Sequence, residues 1–294
     1  MPRRKITDAI QTKPYLNADG TLNFDKIFRF QAKQTELLRN VMRNGKVYVQ
    51  PASEQCLSTG GIRSGKTCGW LMYFVMHYCL QWENCNLLVL RRTFKELESG
   101  AIADFRTFMP QELYDYDQTK HVATLKNGSR VVFGHCQNNK DRDIEQYLGQ
   151  AYPAILVDEC GQFSPDAWMM LYSRNIVNAG CVRDEAGNLP IPAIVGCTNP
   201  LGPHYEYYRT LFVQKEPWNP GEDDEKQTVG RSIVRMENLN LAAPGVLKES
   251  HGMVLLQNPG TICHEFLGLG VHIIDSEADA IDHASIGGLG VVAL

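Results

Sequence analysis

The chain has 294 residues, of which 44% are hydrophobic, 21% charged and 9% aromatic, and a formal net charge of −4. This composition supports a sizeable core and excludes collagen-like, low-complexity and wholly disordered chains. No apolar run reaches the roughly 18 residues of a membrane span. The basic opening MPRRKITDAIQTK has no apolar stretch behind it, so it does not read as a signal peptide. Nine cysteines without a C-x-x-C pair or clustered Cys/His spacing suggest neither a zinc site nor a disulfide scaffold, and a reducing cytoplasm fits them. The charge is uneven. Residues 236–294 carry one basic and seven acidic side chains, net −6, whereas residues 1–235 carry 28 and 26, net +2.

In chain order, the polar stretch at the start reads as an extended N-terminal arm, residues 1–23. Phe30, Leu37, Leu38 and Val41 recur at helical spacing and predict a helix from Phe28 to Met42. Short strands follow at Lys46–Val49 and Gln55–Ser58. After a glycine-rich turn, Lys66–Trp82 is apolar nearly all round and predicts a buried helix. Leu87–Leu90 is a compact strand and Thr93–Met109 a helix. Val122–Leu125 and Arg130–Phe133 flank Asn127-Gly128, a hairpin signal. Ala154–Val157 is an apolar strand ending in Asp158-Glu159, Pro165–Val177 a helix with proline in its first turn, and Ala193–Cys197 another buried strand. Strands without alternation, separated by helices, indicate an α/β fold with a mainly parallel sheet covered on both faces. Ligands in such sheets bind beyond the carboxyl ends of the strands.

Two patterns carry chemistry. Gly60-Gly61-Ile62-Arg63-Ser64-Gly65-Lys66-Thr67 matches G-x-x-x-x-G-K-[ST] in full. Its glycines turn backbone N–H groups inward, the next helix presents its positive end, Lys66 meets the β- and γ-phosphates, and the Thr67 hydroxyl ligates Mg²⁺. Arg63 either reaches the γ-phosphate as an arginine finger in cis or is a loop cation; the sequence leaves both open. The strand ending in Asp158-Glu159 supplies a metal-directed acid and a second carboxylate able to deprotonate an attacking water. Glu159 argues for hydrolysis of the γ-phosphate rather than its transfer to a small molecule.

With these motifs in place, the sequence resembles the ATPase domain of phage terminase large subunits over about residues 24–235. The loop GGIRSGKT, the strand Leu88-Val89-Leu90-Arg91-Arg92-Thr93-Phe94, Leu148-Gly149 ahead of Tyr152, and Gly196-Cys197-Thr198-Asn199-Pro200 look like that family's phosphate loop, second strand, approach to the acidic pair and coupling motif. Phe28 and Gln34 resemble its adenine-holding element, with Gln34 preferred over Gln31. The resemblance implies a P-loop NTPase of the additional-strand, catalytic-Glu type. It implies ATP and Mg²⁺ as cofactors, with Thr67 and Asp158 on the metal and Glu159, Lys66 and Arg63 in catalysis. It further assigns Gln34, Gly60, Gly61, Ile62, Ser64 and Gly65 to nucleotide binding and Thr198 and Asn199 to coupling. It implies work in the host cytoplasm with double-stranded DNA, a portal protein and a small terminase subunit, in a ring of like chains.

Arg91 and Arg92 remain DNA contacts, trans-acting arginines or strand-end charges. Arg174 is either a contact to a neighbour's nucleotide or a surface ion pair. Trp168, Met169 and Met170 read as core, and Tyr205, Tyr207, Tyr208 and Arg209 as packing more than a nucleic-acid surface. The chain ends at Leu294, too soon for the nuclease domain usual in the family. Asp275, Asp279 and Asp282 are therefore expected to be solvated acids, and no nuclease activity is expected. The alternatives are a P-loop phosphotransferase and a non-catalytic nucleotide-binding assembly module.

Overall fold

The computed structural model describes residues 15–136, 141–216 and 231–236. Asp275, Asp279, Asp282 and most of the acidic C-terminal stretch lie outside them. Ten strands are described: β1 Leu38–Arg43, β2 Lys46–Pro51, β3 Gln55–Gly60, β4 Asn86–Arg91, β5 Tyr114–Asp117, β6 Val122–Leu125, β7 Arg130–His135, β8 Ala154–Asp158, β9 Ala193–Thr198 and β10 Arg231–Met236. The α-helical segments are α1 Phe24–Ile27, α2 Ala32–Thr35, α3 Lys66–Phe74, α4 Phe94–Leu97, α5 Ala103–Phe108, α6 Pro165–Ser173 and α7 Tyr205–Tyr208.

Eight strands form one sheet in the order β10-β3-β9-β8-β4-β7-β6-β5. The first six run parallel, and β6 and β5 close the edge as an antiparallel meander. The α/β, mainly parallel fold expected from the sequence is thus observed. Its decisive detail is β9, the additional strand inserted between β3, which feeds the phosphate loop, and β8, which ends in Asp158. Three strand ends that carry polar residues are thereby brought side by side.

Both faces of the sheet are covered. Leu87 and Val89 of β4, Leu156 of β8 and Val195 of β9 pack with Trp70, Phe74 and Tyr78 from α3 and the turn after it. The alternate residues Leu88, Leu90, Ile155, Val157 and Ile194 pack with Trp168, Tyr208 and Phe212. Every residue of β3, β8 and β9 is buried, and in β8 and β9 this shows in the sequence as nearly continuous apolar runs, whereas β3 also buries Gln55, Ser58 and Thr59. None of the described helices is long and apolar enough to cross a membrane.

The helix predicted from Phe28 to Met42 is not formed. The chain makes α2 and then an antiparallel hairpin of β1 and β2, turning at Asn44-Gly45. Both turn residues have positive φ, 47° and 77°, the geometry of a two-residue hairpin loop. Val41 pairs across the hairpin with Tyr48, whose hydroxyl donates to Asp184. The predicted Asn127-Gly128 hairpin is present, with Gly128 alone at positive φ, 82°. Lys66–Trp82 and Thr93–Met109 are helical over most of their spans but each contains a π-helical turn, Val75–Cys79 and Glu98–Ile102. The helix begun at Pro165 stops at Ser173, and Met169 on its outer side is 44% exposed rather than core.

The aromatic cluster beneath α3 holds a titratable group. His77 stacks on Tyr73 at 5.1 Å and meets the edge of Phe24 at 5.4 Å. Burial lowers its pKa to about 4, against 6.5 for a free histidine. The unfolded chain therefore takes up a proton near pH 6.5 that the folded chain refuses until about pH 4. Stability is expected to fall across that window, by an order of 2–3 kcal/mol at most. Chemical denaturation at pH 7 and pH 4.5 measures this, and His77→Gln is expected to flatten the difference.

Candidate active site

The phosphate loop lies between β3 and α3, as its motif requires. Gly60 takes φ 137° and Gly65 φ 76°, the latter capping α3 in a left-handed conformation closed to most residues. Ser64 and Lys66 are buried, while Ile62 and Arg63 are exposed at the loop tip. Arg63 has φ 60°, so the loop holds a non-glycine residue in the left-handed region.

Lys66 is 8% exposed and its ammonium is surrounded by acceptors: Gly61 O at 2.7 Å, Ser64 Oγ at 3.1 Å, Asn199 Oδ1 at 3.1 Å and Gly60 O at 3.2 Å. Burial lowers its pKa, while nearby Cys197, Glu159 and Asp158 oppose that fall. In the first turn of α3, Thr67 Oγ1 donates to Asp158 Oδ1 at 2.6 Å. A hydroxyl and a carboxylate in contact at the mouth of a phosphate loop form a donor set suited to Mg²⁺, a hard cation held by one or two carboxylates, hydroxyls and water.

Glu159 follows β8 at φ 51°, left-handed for a residue with a side chain, and this turn brings its carboxylate over to β9. There Asn199 Nδ2 donates to Glu159 Oε1 at 3.1 Å. The same amide accepts from Lys66 through Oδ1, so Asn199 bridges the lysine and the acid. Burial raises the Glu159 pKa, and the adjacent Asp158 charge adds to the shift; Asn199, Arg91 and Lys66 act the other way. Thr198 Oγ1 donates to Asn199 O at 2.8 Å and accepts from Gly161 N at 3.4 Å, tying the end of β9 to the turn after Glu159. Gly161 is needed there: a β-carbon would stand 2.9 Å from that hydroxyl and 2.6 Å from Leu201 O.

Gln34 meets the loop rather than open space. Its Nε2 donates to Gly65 O at 2.9 Å and its Oε1 accepts from Gln31 N at 2.8 Å. It lies so close to α3 that a β-carbon on Gly69 would be 2.8 Å from Nε2. Phe28 is buried against Phe108 and Phe30, at 4.8 and 5.0 Å between ring centroids. Arg174 is exposed at the end of α6, and its carbonyl accepts from Tyr152 N at the amino end of β8, opposite the phosphate loop. Tyr207 and Tyr208 are buried and Arg209 pairs with Glu206 at 2.6 Å, in keeping with packing.

Sequence reasoning did not anticipate that Arg91 binds Asp158, with Nη1 to Oδ2 at 2.6 Å. A signal existed: β4 and β8 are both apolar strands ending in polar residues, and as parallel neighbours with Leu90 opposite Val157 they put their next residues together. Arg92 instead lies over the Phe163 ring at 5.4 Å.

Residues 57–183 match the family described as terminase large subunit, T4likevirus-type, N-terminal. No curated protein matches. Among solved structures, the large terminase of a thermophilic bacteriophage aligns at 17% identity over 73% of this chain and 48% of that one, with a TM-score of 0.47. The same phage's large terminase in complex with ADP aligns at 15% identity over the same shares, TM-score 0.48. The large terminase ATPase domain of Thermus phage P74-26 aligns at 11% identity over 64% of this chain and 76% of that one, TM-score 0.35. The chain thus spans about half the length of the first two. The resemblance read from the motifs is matched over residues 57–183.

Proposed function

We propose that this chain, whose residues 57–183 match the family of terminase large subunit N-terminal domains, is an ATP-hydrolysing domain over residues 24–235. Its turnover drives double-stranded DNA into a procapsid at the portal, beside a small terminase subunit and in a ring of like chains. One observation carries the reading: Asn199 joins Lys66 to Glu159 at 3.1 Å on each side, next to a Thr67–Asp158 contact of 2.6 Å. A phosphate-loop lysine, a metal-directed pair and a base are needed together only where a phosphoryl group reacts.

The residues divide the work as follows. The loop from Gly60 to Gly65 turns its amides toward phosphate, and Lys66 exchanges its carbonyl acceptors for phosphate oxygens. Thr67 and Asp158 hold Mg²⁺, which when bound neutralises charge on the phosphates. Glu159 accepts the proton of the attacking water, and its half-buried position makes it a better base than a solvated glutamate. Asn199 orients Glu159 while contacting Lys66, so departure of the γ-phosphate alters both of its bonds. Thr198 carries that change into the turn after β8. Gln34 braces the loop beneath the base, and Arg63 at the exposed loop tip is placed to meet charge developing on the γ-phosphate or a neighbouring chain.

The test is steady-state ATP hydrolysis with and without linear double-stranded DNA. Hydrolysis that accelerates with DNA is expected. Hydrolysis indifferent to DNA would remove the motor from the reading and leave a plain ATPase.

A further inference from the structure

Asp158 is engaged through both oxygens. Thr67 takes Oδ1 and Arg91 takes Oδ2, each at 2.6 Å, and the carboxylate is 3% exposed against 21% for the arginine. The same guanidinium has a looser second partner: its Nε lies 3.6 Å from Glu96 Oε2 on α4. The π-helical turn Glu98–Ile102 brings Gly100 so near that a β-carbon there would stand 3.3 Å from Nη1, the nitrogen that holds Asp158. A strand-end cation that served only solubility would need neither a buried acid nor a glycine seat. Two further carboxylates, Glu159 and Asp104, lie within electrostatic reach of Asp158.

We propose that Arg91 is a positioning residue for the metal-directed carboxylate. It fixes Asp158 in the orientation that serves Thr67, and it supplies the counter-charge that a buried acid among other acids requires. The inference rests on the nucleotide-site reading above. With both oxygens of Asp158 engaged by Thr67 and Arg91, the carboxylate is fixed beside the Thr67 hydroxyl, where the two would hold Mg²⁺. Arg91 works only through Asp158 and makes no contact with nucleotide.

The experiment follows binding of a fluorescent, non-hydrolysable ATP analogue during Mg²⁺ titration and, separately, in EDTA. It compares the unaltered protein with Arg91→Ala, Arg91→Lys and Gly100→Ala. Loss of a residue that orients a metal-directed carboxylate weakens metal binding about 10–100-fold. The Mg²⁺ midpoint is therefore expected to rise by that factor in Arg91→Ala, with affinity in EDTA unchanged. Arg91→Lys, which keeps the charge but not the planar fork, is expected to lie between. Gly100→Ala, which crowds the guanidinium, is expected to shift the midpoint in the same direction by less. A folded Arg91→Ala protein with an unmoved midpoint overturns the inference. An equal loss in EDTA also overturns it, because Arg91 would then touch the nucleotide. If Mg²⁺ fails to strengthen analogue binding to the unaltered protein, the nucleotide-site reading falls and the Arg91 role with it. Should Arg91→Ala not fold, Arg91→Lys and Gly100→Ala decide on the same terms.

Discussion

Glu159→Gln is expected to lower the rate of ATP hydrolysis by about 10²–10⁴-fold, the usual contribution of a positioned general base. Nucleotide affinity should change little, because Glu159 faces Asn199 across the site and is not part of the phosphate loop. The substitution is nearly isosteric and keeps an oxygen for Asn199 Nδ2, so the local fold is retained. It also removes a charge that sits half-buried beside Asp158, so thermal stability should hold or rise slightly. Parallel measurements of turnover, analogue binding and melting temperature separate these effects. Retained binding with lost turnover is the signature of a base. A loss of both would make Glu159 a structural support of β9.

Lys66→Ala is expected to act differently, weakening nucleotide binding and lowering turnover by about 10²–10³-fold, the cost of removing one charged donor from a water-excluded site. Its effect on the free protein should be small. The ammonium satisfies Gly60 O, Gly61 O, Ser64 Oγ and Asn199 Oδ1, yet its burial already disfavours the charge, and the two terms oppose one another. A melting temperature near that of the unaltered protein, with analogue binding lost in isothermal titration, is the predicted pair of results. A large fall in melting temperature would instead assign Lys66 to holding the loop shut.

Much of this site could be read in the sequence because its parts are local and their spacing is dictated by chemistry. The eight residues from Gly60 to Thr67 need a turn and a helix start, and nothing distant alters that requirement. Asp158-Glu159 stood out because a buried strand must end before acids can follow. What was not legible depended on neighbours in space. Arg91 became a partner of Asp158 through strand order and register, which the two segments do not carry separately. The contact of the Gln34 amide with the loop carbonyl of Gly65, in a slot that Gly69 leaves open, likewise depends on packing that neither segment carries by itself.

The Phe28–Met42 helix failed for a more instructive reason. Its apolar residues fit a helical period, but Asn44-Gly45 is a hairpin signal as strong as Asn127-Gly128, and the turn prevailed over the periodicity. β5 and β10 went unrecognised as well. Tyr114–Asp117 is a four-residue edge strand, and Arg231–Met236 is a polar-studded strand that adds to β3 from far along the chain.

In the proposed reaction, water activated at Glu159 takes the γ-phosphoryl group of ATP. Its most direct test is a single-turnover reaction in ¹⁸O-labelled water, run with and without small hydroxyl acceptors. Inorganic phosphate carrying one labelled oxygen per ATP consumed is expected, whether or not an acceptor is present. Phosphate appearing on an acceptor, or no phosphate released at all, would contradict it.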